Sequence, residues 1–205
     1  MSTIPVSLDG YTDLPPGKIA NVVTFLERTE LPGPPETPTD GLSLLHVIQP
    51  DPSWYRALYS RIGENWLWFS RAVMPEEELA ALISSPTTVI LALKRDGEAI
   101  GLAELDFTVP GDAEIVTFGV VPEEIGSGAA KVLMEGTLAH AFGGDVGRVW
   151  LHTCTFDHPA AVRFYARQRF RAFKFAIEVS DDPRLTGFLP ENAAPHVPLI
   201  RPLRR

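Results

Sequence analysis

The chain has 205 residues, enough for one domain with a buried core. Hydrophobic residues make up 45% and charged residues 21%, an ordinary globular composition, and no apolar run approaches the roughly 20 residues of a membrane span. The net charge of −8 argues against a general nucleic-acid binder and suits cationic partners. A single cysteine cannot form an internal disulfide, so a reducing, cytoplasmic setting is expected. The first residues, Met1-Ser2-Thr3-Ile4-Pro5-Val6, lack the basic region and apolar core of a secretory signal.

Residues 1–19 read as an irregular lead-in, and residues 21–28 alternate as a strand does. Residues 31–40 are too rich in proline for a core element. An apolar stretch at 42–48 precedes Pro50-Asp51-Pro52-Ser53, which has the form of a helix start. Residues 54–69 carry many large aromatics, suited either to core packing or to the wall of a pocket. Pro75 followed by Glu76-Glu77-Glu78 predicts another helix start, with acids in its first turn. Residues 87–94 read as a strand, Asp96-Gly97 as a two-residue hairpin turn, and 98–107 as the return strand. Pro110-Gly111-Asp112 turns into a strand at 114–120. No internal repeat is visible.

The most informative stretch follows: Val120-Val121-Pro122-Glu123-Glu124-Ile125-Gly126-Ser127-Gly128-Ala129-Ala130-Lys131. It reads as a strand end, a glycine-rich turn, and a helix running to Gly143-Gly144. Small residues let a ligand approach the backbone, and a helix start offers unpaired N–H groups and a positive dipole end. Lys131 adds a charge nearby. This suits a phosphate or pyrophosphate. The P-loop pattern fails, since no Gly-Lys-Ser/Thr follows. The dinucleotide pattern G-x-G-x-x-G fails at Lys131, and the nucleophile elbow G-x-S-x-G fails at Ile125.

About thirty residues on stand Trp150-Leu151-His152-Thr153-Cys154 and Asp157-His158-Pro159-Ala160-Ala161-Val162-Arg163-Phe164-Tyr165, then Arg169-Phe170. This predicts a strand, a turn, and a helix with Pro159 at its first position. A last strand follows at 171–179. Hairpins followed by strand, helix, strand, helix, strand predict a mixed, mostly antiparallel α/β sheet of six or seven strands with helices on both faces.

Over roughly residues 20–180 the chain resembles the GNAT superfamily of acyl-CoA-dependent N-acetyltransferases. The family's loop Arg/Gln-x-x-Gly-x-Gly/Ala runs here as Ile125-Gly126-Ser127-Gly128-Ala129-Ala130, with Gly128 and Ala130 at its two small positions. Its motif Asn-x-x-Ala-x-x-Phe/Leu-Tyr, then Gly-Phe, is matched by Ala161, Phe164, Tyr165 and Phe170. Ile125, His158 and Arg169 depart from the pattern, and the last implies an altered bend after the helix. The resemblance implies acetyl-CoA as acyl donor, held by Gly126, Ser127, Gly128, Ala129, Ala130 and Lys131. It also implies oxyanion stabilisation by backbone N–H groups at Phe118, Gly119 and Val120, and Tyr165 as the acid that protonates the leaving thiolate. The division it implies is a lead-in at 1–19, an acetyltransferase domain at 20–182 and a C-terminal extension at 183–205, the basic end 201–205 being a solvated tail.

Acyl transfer to an alkyl amine also needs a base, since such amines titrate near pH ~10.4. Glu104 and Glu114, on neighbouring hairpin strands, are the candidates, though a strand glutamate is more often a surface charge. Strict alternation puts Glu104 with Leu102 and Asp106, and Glu114 with Val116 and Phe118. His152 and Cys154 point to one side of their strand. No third metal ligand accompanies them, so no metal is expected and Cys154 reads as a small buried hydrophobe. Asp157 and His158 read as helix caps. The expected activity is N-acetylation of a small-molecule or peptide amine, without nucleic-acid or membrane partners; a homodimer is compatible with the sequence. A non-catalytic acyl-CoA-binding module and a Cys154 hydrolase are the competing readings.

Overall fold

A computed structural model describes residues 5–33 and 41–202. The proline-dense stretch therefore lies largely outside the described residues, as does the end of the basic tail. Seven strands form one sheet: β1 (Lys18–Arg28), β2 (Leu42–His46), β3 (Thr88–Arg95), β4 (Glu98–Asp106), β5 (Asp112–Val120), β6 (Arg148–Cys154) and β7 (Arg171–Asp181). Their order is β2-β3-β4-β5-β6-β1-β7. Every pair is antiparallel except β5 with β6. The first strand thus sits between the last two. It begins at Lys18, earlier than the alternation suggested, where Lys18 N–H donates to Pro15 O across a turn (3.1 Å).

The helices form where local chemistry permits. α1 (Pro52–Gly63) starts at Asp51, whose carboxylate accepts the Trp54 N–H (2.9 Å), with proline in its first turn. α2 (Ser70–Val73) is a single turn, and α3 (Glu76–Ile83) carries three glutamates in its first turn. α4 (Ala129–Ala141) follows the glycine-rich loop, and α5 (Ala161–Arg167) precedes β7. α5 starts two residues after Pro159, because His158 O accepts the Ala161 N–H (2.8 Å) and closes a turn over the proline. Asp96 and Gly97 both take positive φ, as a type I′ hairpin requires.

The end of α5 also departs from expectation. Arg169 N–H donates to Ala166 O (3.0 Å) and Phe170 N–H to Tyr165 O (3.1 Å). This is the Schellman arrangement, and Arg169 sits at its left-handed position with φ +64°. The bend is the ordinary helix stop, made with an arginine where glycine would be free of strain.

α1 and α4 cover opposite faces of the sheet. The Tyr55 hydroxyl of α1 donates to Glu104 on β4, whereas Leu133 of α4 packs over Gly101, on the other side of that strand. Leu133, Met134 and Leu138 of α4 and Tyr55 and Ile62 of α1 are almost wholly buried. Burial of such side chains stabilises by roughly 1.5–3 kcal/mol each. A second small cluster joins Leu67 to Leu189, Ala193, Ala194 and Val197, so residues 182–202 pack against the domain. Buried Arg184 holds that segment together, pairing with Asp182 (2.7 Å) and donating to Val197 O (2.8 Å).

Gly63 ends α1 against the Trp68 ring, where a Cβ would overlap the tryptophan. Gly63→Ala improves helix propensity by up to ~1 kcal/mol, but overpacking costs ~1–3 kcal/mol. The variant is expected to unfold at lower urea than the parent chain; a raised midpoint would show that Trp68 is free to move.

Candidate functional site

β5 and β6 are paired only from Asp112–Arg148 to Ile115–Leu151. Beyond that β5 continues to Val120 and β6 to Cys154, so the two strands part and leave a gap in the sheet. On its other edge β5 stays paired with β4, and Val121 N–H donates to Ile100 O (2.8 Å). Antiparallel alternation then turns the Gly119 N–H toward β4 and the Phe118 and Val120 N–H groups toward the gap. Gly119 makes no bulge. It packs closely, since a Cβ there would lie 2.6 Å from Ile62 Cγ2 and 3.2 Å from Trp68 Cη2.

A cavity of about 440 Å³ opens at this gap, a usual size for a small-molecule site. Ile125, Gly126 and Ala130 line it at the glycine-rich loop. Gly126 and Gly128 both take positive φ, with open space where a Cβ would stand. The Ala129 N–H is used by Ser127 Oγ (3.1 Å), and the Lys131 N–H by Gly128 O (2.9 Å). The N–H groups of Gly126, Gly128 and Ala130 have no partner among the described residues. They stand at the positive end of a 13-residue helix, a ready place for an anion. Lys131 pairs with Glu135 (3.2 Å) rather than lining the cavity. Arg95 grips Glu124 through two bonds of 2.8 and 2.9 Å, pushing that carboxyl down to about 2 and neutralising the acid next to the loop.

Tyr165 lies on the cavity wall, packed between Phe118, Phe164 and Phe170 at ring distances of 5.5–6.1 Å. Its ring is buried, and its hydroxyl makes no hydrogen bond among the described residues. Burial first, then the nearby Asp157 charge, raises the phenol well above its usual value, so it keeps its proton at neutral pH. Cys154 also lines the wall, and burial followed by Asp157 pushes its thiol up to about 11. Almost no thiolate exists there at pH 7, which counts against a nucleophile.

Asp157 does not cap α5. It accepts from Thr153 Oγ1 (2.7 Å), Cys154 N–H (2.9 Å) and Trp68 Nε1 (2.9 Å). It thereby ties the frayed end of β6 to the aromatic segment after α1. His158 Nδ1 does accept the Ala160 N–H (3.1 Å). Arg56 fixes the far end of the same segment, donating to Ala72 O (2.6 Å) and Met74 O (2.8 Å). The aromatics of 54–69 divide accordingly: Tyr55 is core, while Tyr59, Trp66, Trp68 and Phe69 face the cavity.

The two acids share a face of the sheet. A bulge between Glu104–Thr117 and Leu105–Ile115 leaves Val116 unpaired and flips the side of every earlier β5 residue. Glu114 therefore stands opposite Asp106, on Glu104's side, and not with Val116 and Phe118. Glu104 is no surface charge. It is 2% exposed, accepts from the Tyr55 hydroxyl and is paired with Arg71 Nη2 at 2.7 Å. Burial opposes the Arg71 charge, and the Glu104 carboxylate overcomes this. Burial, then Asp106 and Glu104, raises the Glu114 carboxyl to about 7. Neither acid lines the cavity; Arg71 and Thr117 do. Sequence reasoning overlooked Arg71 and Asn21, which lines the cavity from β1, and read Asp157 only as a cap. Asn21 carried a signal, being an amide beside the apolar run Val22-Val23.

Among the described residues no group of three metal-binding side chains occurs, and no helix is long and apolar enough to cross a membrane. The family model described as "Acetyltransferase (GNAT) family" matches residues 53–170. An uncharacterised N-acetyltransferase of Mycobacterium tuberculosis (strain H37Rv) is 32% identical over 103 residues, 50% of this chain and 65% of that protein. The match thus spans less than two thirds of that relative. A GCN5-related N-acetyltransferase from Sphaerobacter thermophilus superposes with a TM-score of 0.63 at 16% identity, over 79% of this chain and 52% of that one. The ribosomal-protein-S18-alanine N-acetyltransferase from Escherichia coli gives 0.53 at 15%, over 69% and 94%. At such identities these structures establish a shared fold.

The raised Glu114 carboxyl has a definite sign in stability. An unfolded glutamate titrates near ~4.3, so between that value and about 7 the folded chain keeps a proton that the unfolded chain releases. Stability therefore falls as pH rises through this window. Glu114→Gln is expected to unfold at a higher temperature than the parent at pH 8, with the difference shrinking toward pH 5. A difference independent of pH would mean that Glu114 titrates normally.

Proposed function

Since the chain belongs to the acetyltransferase (GNAT) family, we propose that it transfers an acetyl group from acetyl-CoA to a primary amine. The observation that carries this reading is the gap between β5 and β6, with two inward backbone N–H groups on one side and a loop of unpaired amides at one end. The loop fits a pyrophosphate: three donors, a helix start, and no side chain in the way. One of the Phe118 and Val120 N–H groups, which stand ~6.7 Å apart along β5 and so cannot share one oxygen, stabilises negative charge on the thioester carbonyl oxygen when the amine attacks. Tyr165, protonated and facing the same cavity, donates its proton to sulfur as the C–S bond breaks.

The amine must lose one proton when the new C–N bond forms. Glu114, with a value of about 7, is suited to exchanging protons at neutral pH. Glu104 holds Arg71 at the cavity wall. Neither acid touches the cavity, so either takes the amine's proton through water. The lone cysteine has no part in this scheme.

Two variants test the scheme at separate steps. Gly128 has φ +93°, so Gly128→Val both strains the loop and places a branched side chain at the anion site. Calorimetry is expected to show coenzyme A affinity reduced ten-fold or more in a folded protein; unchanged affinity would remove the loop from the coenzyme site.

Tyr165→Phe keeps the packed ring and deletes only the hydroxyl. Proton donation is worth about 10²–10⁴-fold in rate. The variant should bind acetyl-CoA as the parent does and turn over slower by that factor. A full rate, with chemistry limiting, would assign the proton to water.

A further inference from the structure

The end of the cavity away from the glycine-rich loop is built by strands that the family match does not include. β1 and β7 supply Ile19, Asn21, Glu178 and Ser180 to its wall, whereas the match covers residues 53–170. Asn21 and Glu178 stand opposite each other in the β1–β7 register, and Asn21 Nδ2 donates to Glu178 Oε2 at 3.0 Å. That bond settles which way the amide faces, since a carboxylate accepts from its nitrogen only. The amide oxygen is turned away. Asn21 is 6% exposed, and its Oδ1 is buried without a partner among the described residues. A buried amide oxygen without a donor is costly and rare.

The charges here have one sign. Glu178 and Asp157 are both on the wall, and Arg71 is already neutralised by Glu104. The free hydrogen-bonding capacity at this end is thus acceptor capacity, next to negative charge. Trp66, Phe69 and Phe156 supply apolar wall around it. In the sheet order, β6 and the gap separate this end from β5 and the loop that follows it.

We propose that the Glu178 carboxylate, held in place by the Asn21 amide, forms the acceptor subsite, and that it binds a second cationic N–H group of the substrate. The inference rests on the acetyltransferase reading and narrows it. The acceptor is a small dicationic amine: one nitrogen reaches the gap to be acetylated, and the other is held by Glu178 across an aliphatic linker. An acceptor with a carboxylate in place of the second amine meets Glu178 and is disfavoured.

The test uses the full chain and three probes of similar length: 1,4-diaminobutane, butylamine and 4-aminobutanoate. Thiol release from acetyl-CoA gives kcat/KM for each. The diamine should exceed butylamine by ten-fold or more, with 4-aminobutanoate used least, as a charge-assisted hydrogen bond implies. Glu178→Gln keeps an oxygen for Asn21 Nδ2 and lies on the exposed edge strand, so folding is preserved. It should lower the diamine-to-butylamine ratio about ten-fold. Equal use of the two amines, preference for 4-aminobutanoate, or an unmoved ratio would overturn the proposal while leaving acetyl transfer intact. Calorimetric binding of 1,4-diaminobutane, with and without coenzyme A, is the second readout. Diamine binding that weakens about ten-fold in Glu178→Gln, in a chain that acetylates none of the probes, supports the subsite and sinks the catalytic reading. Absence of diamine binding sinks the subsite.

Discussion

Two parallel strands that pair over four residues and then diverge are the constraint from which the site follows. Backbone N–H and C=O groups inside a protein require partners, so a sheet does not open without a reason. Here β5 keeps β4 on one side and loses β6 on the other beyond Ile115 and Leu151. The released donors of Phe118 and Val120 are held in place because the other edge of β5 is paired with β4 from Thr117 to Val120. A flexible loop could present the same groups, but each would then have to be ordered on binding.

The gap is kept from collapsing by polar ties at its margins. Asp157 binds Thr153, Cys154 and Trp68 at once, so one carboxylate holds the end of β6, the turn after it and the aromatic segment in register. Arg71 and Glu104 do the same below. A buried ion pair contributes little net stability, yet loss of one partner costs roughly 3–5 kcal/mol. Such pairs therefore act less as glue than as locks on position. The Schellman stop after α5 belongs with them, because the Phe170 N–H that closes it binds the carbonyl of Tyr165 itself.

The parts of this arrangement that could be read from sequence are those set by neighbours in the chain. Asp96-Gly97 dictates its hairpin through backbone sterics, Pro75 and its glutamates start a helix, and the glycines at 126 and 128 mark a turn that other residues resist. What could not be read depends on partners far away. The Val116 bulge arises from β4–β5 registration and reversed the expected side of Glu114. Asp157 has the sequence context of a helix cap, and only the approach of Trp68 shows its other use. Arg169 breaks the local preference for glycine because the helix stop is enforced by the buried Phe170 beyond it. The place of β1 between β6 and β7 had no local signal at all, although the amide of Asn21 among valines hinted at a buried partner.

That position of β1 carries a cost in time. Both of its partners are made last: Val23 pairs with Cys154 and with Ala176, and Asn21 bonds a glutamate 157 residues away. On the ribosome β1 emerges before the other six strands and waits for β6 and β7, its apolar residues exposed, while β3, β4 and β5 can close as successive hairpins. Sheet assembly must include a long-range docking of β1 with β6 and β7, and the far wall of the cavity exists only after that step.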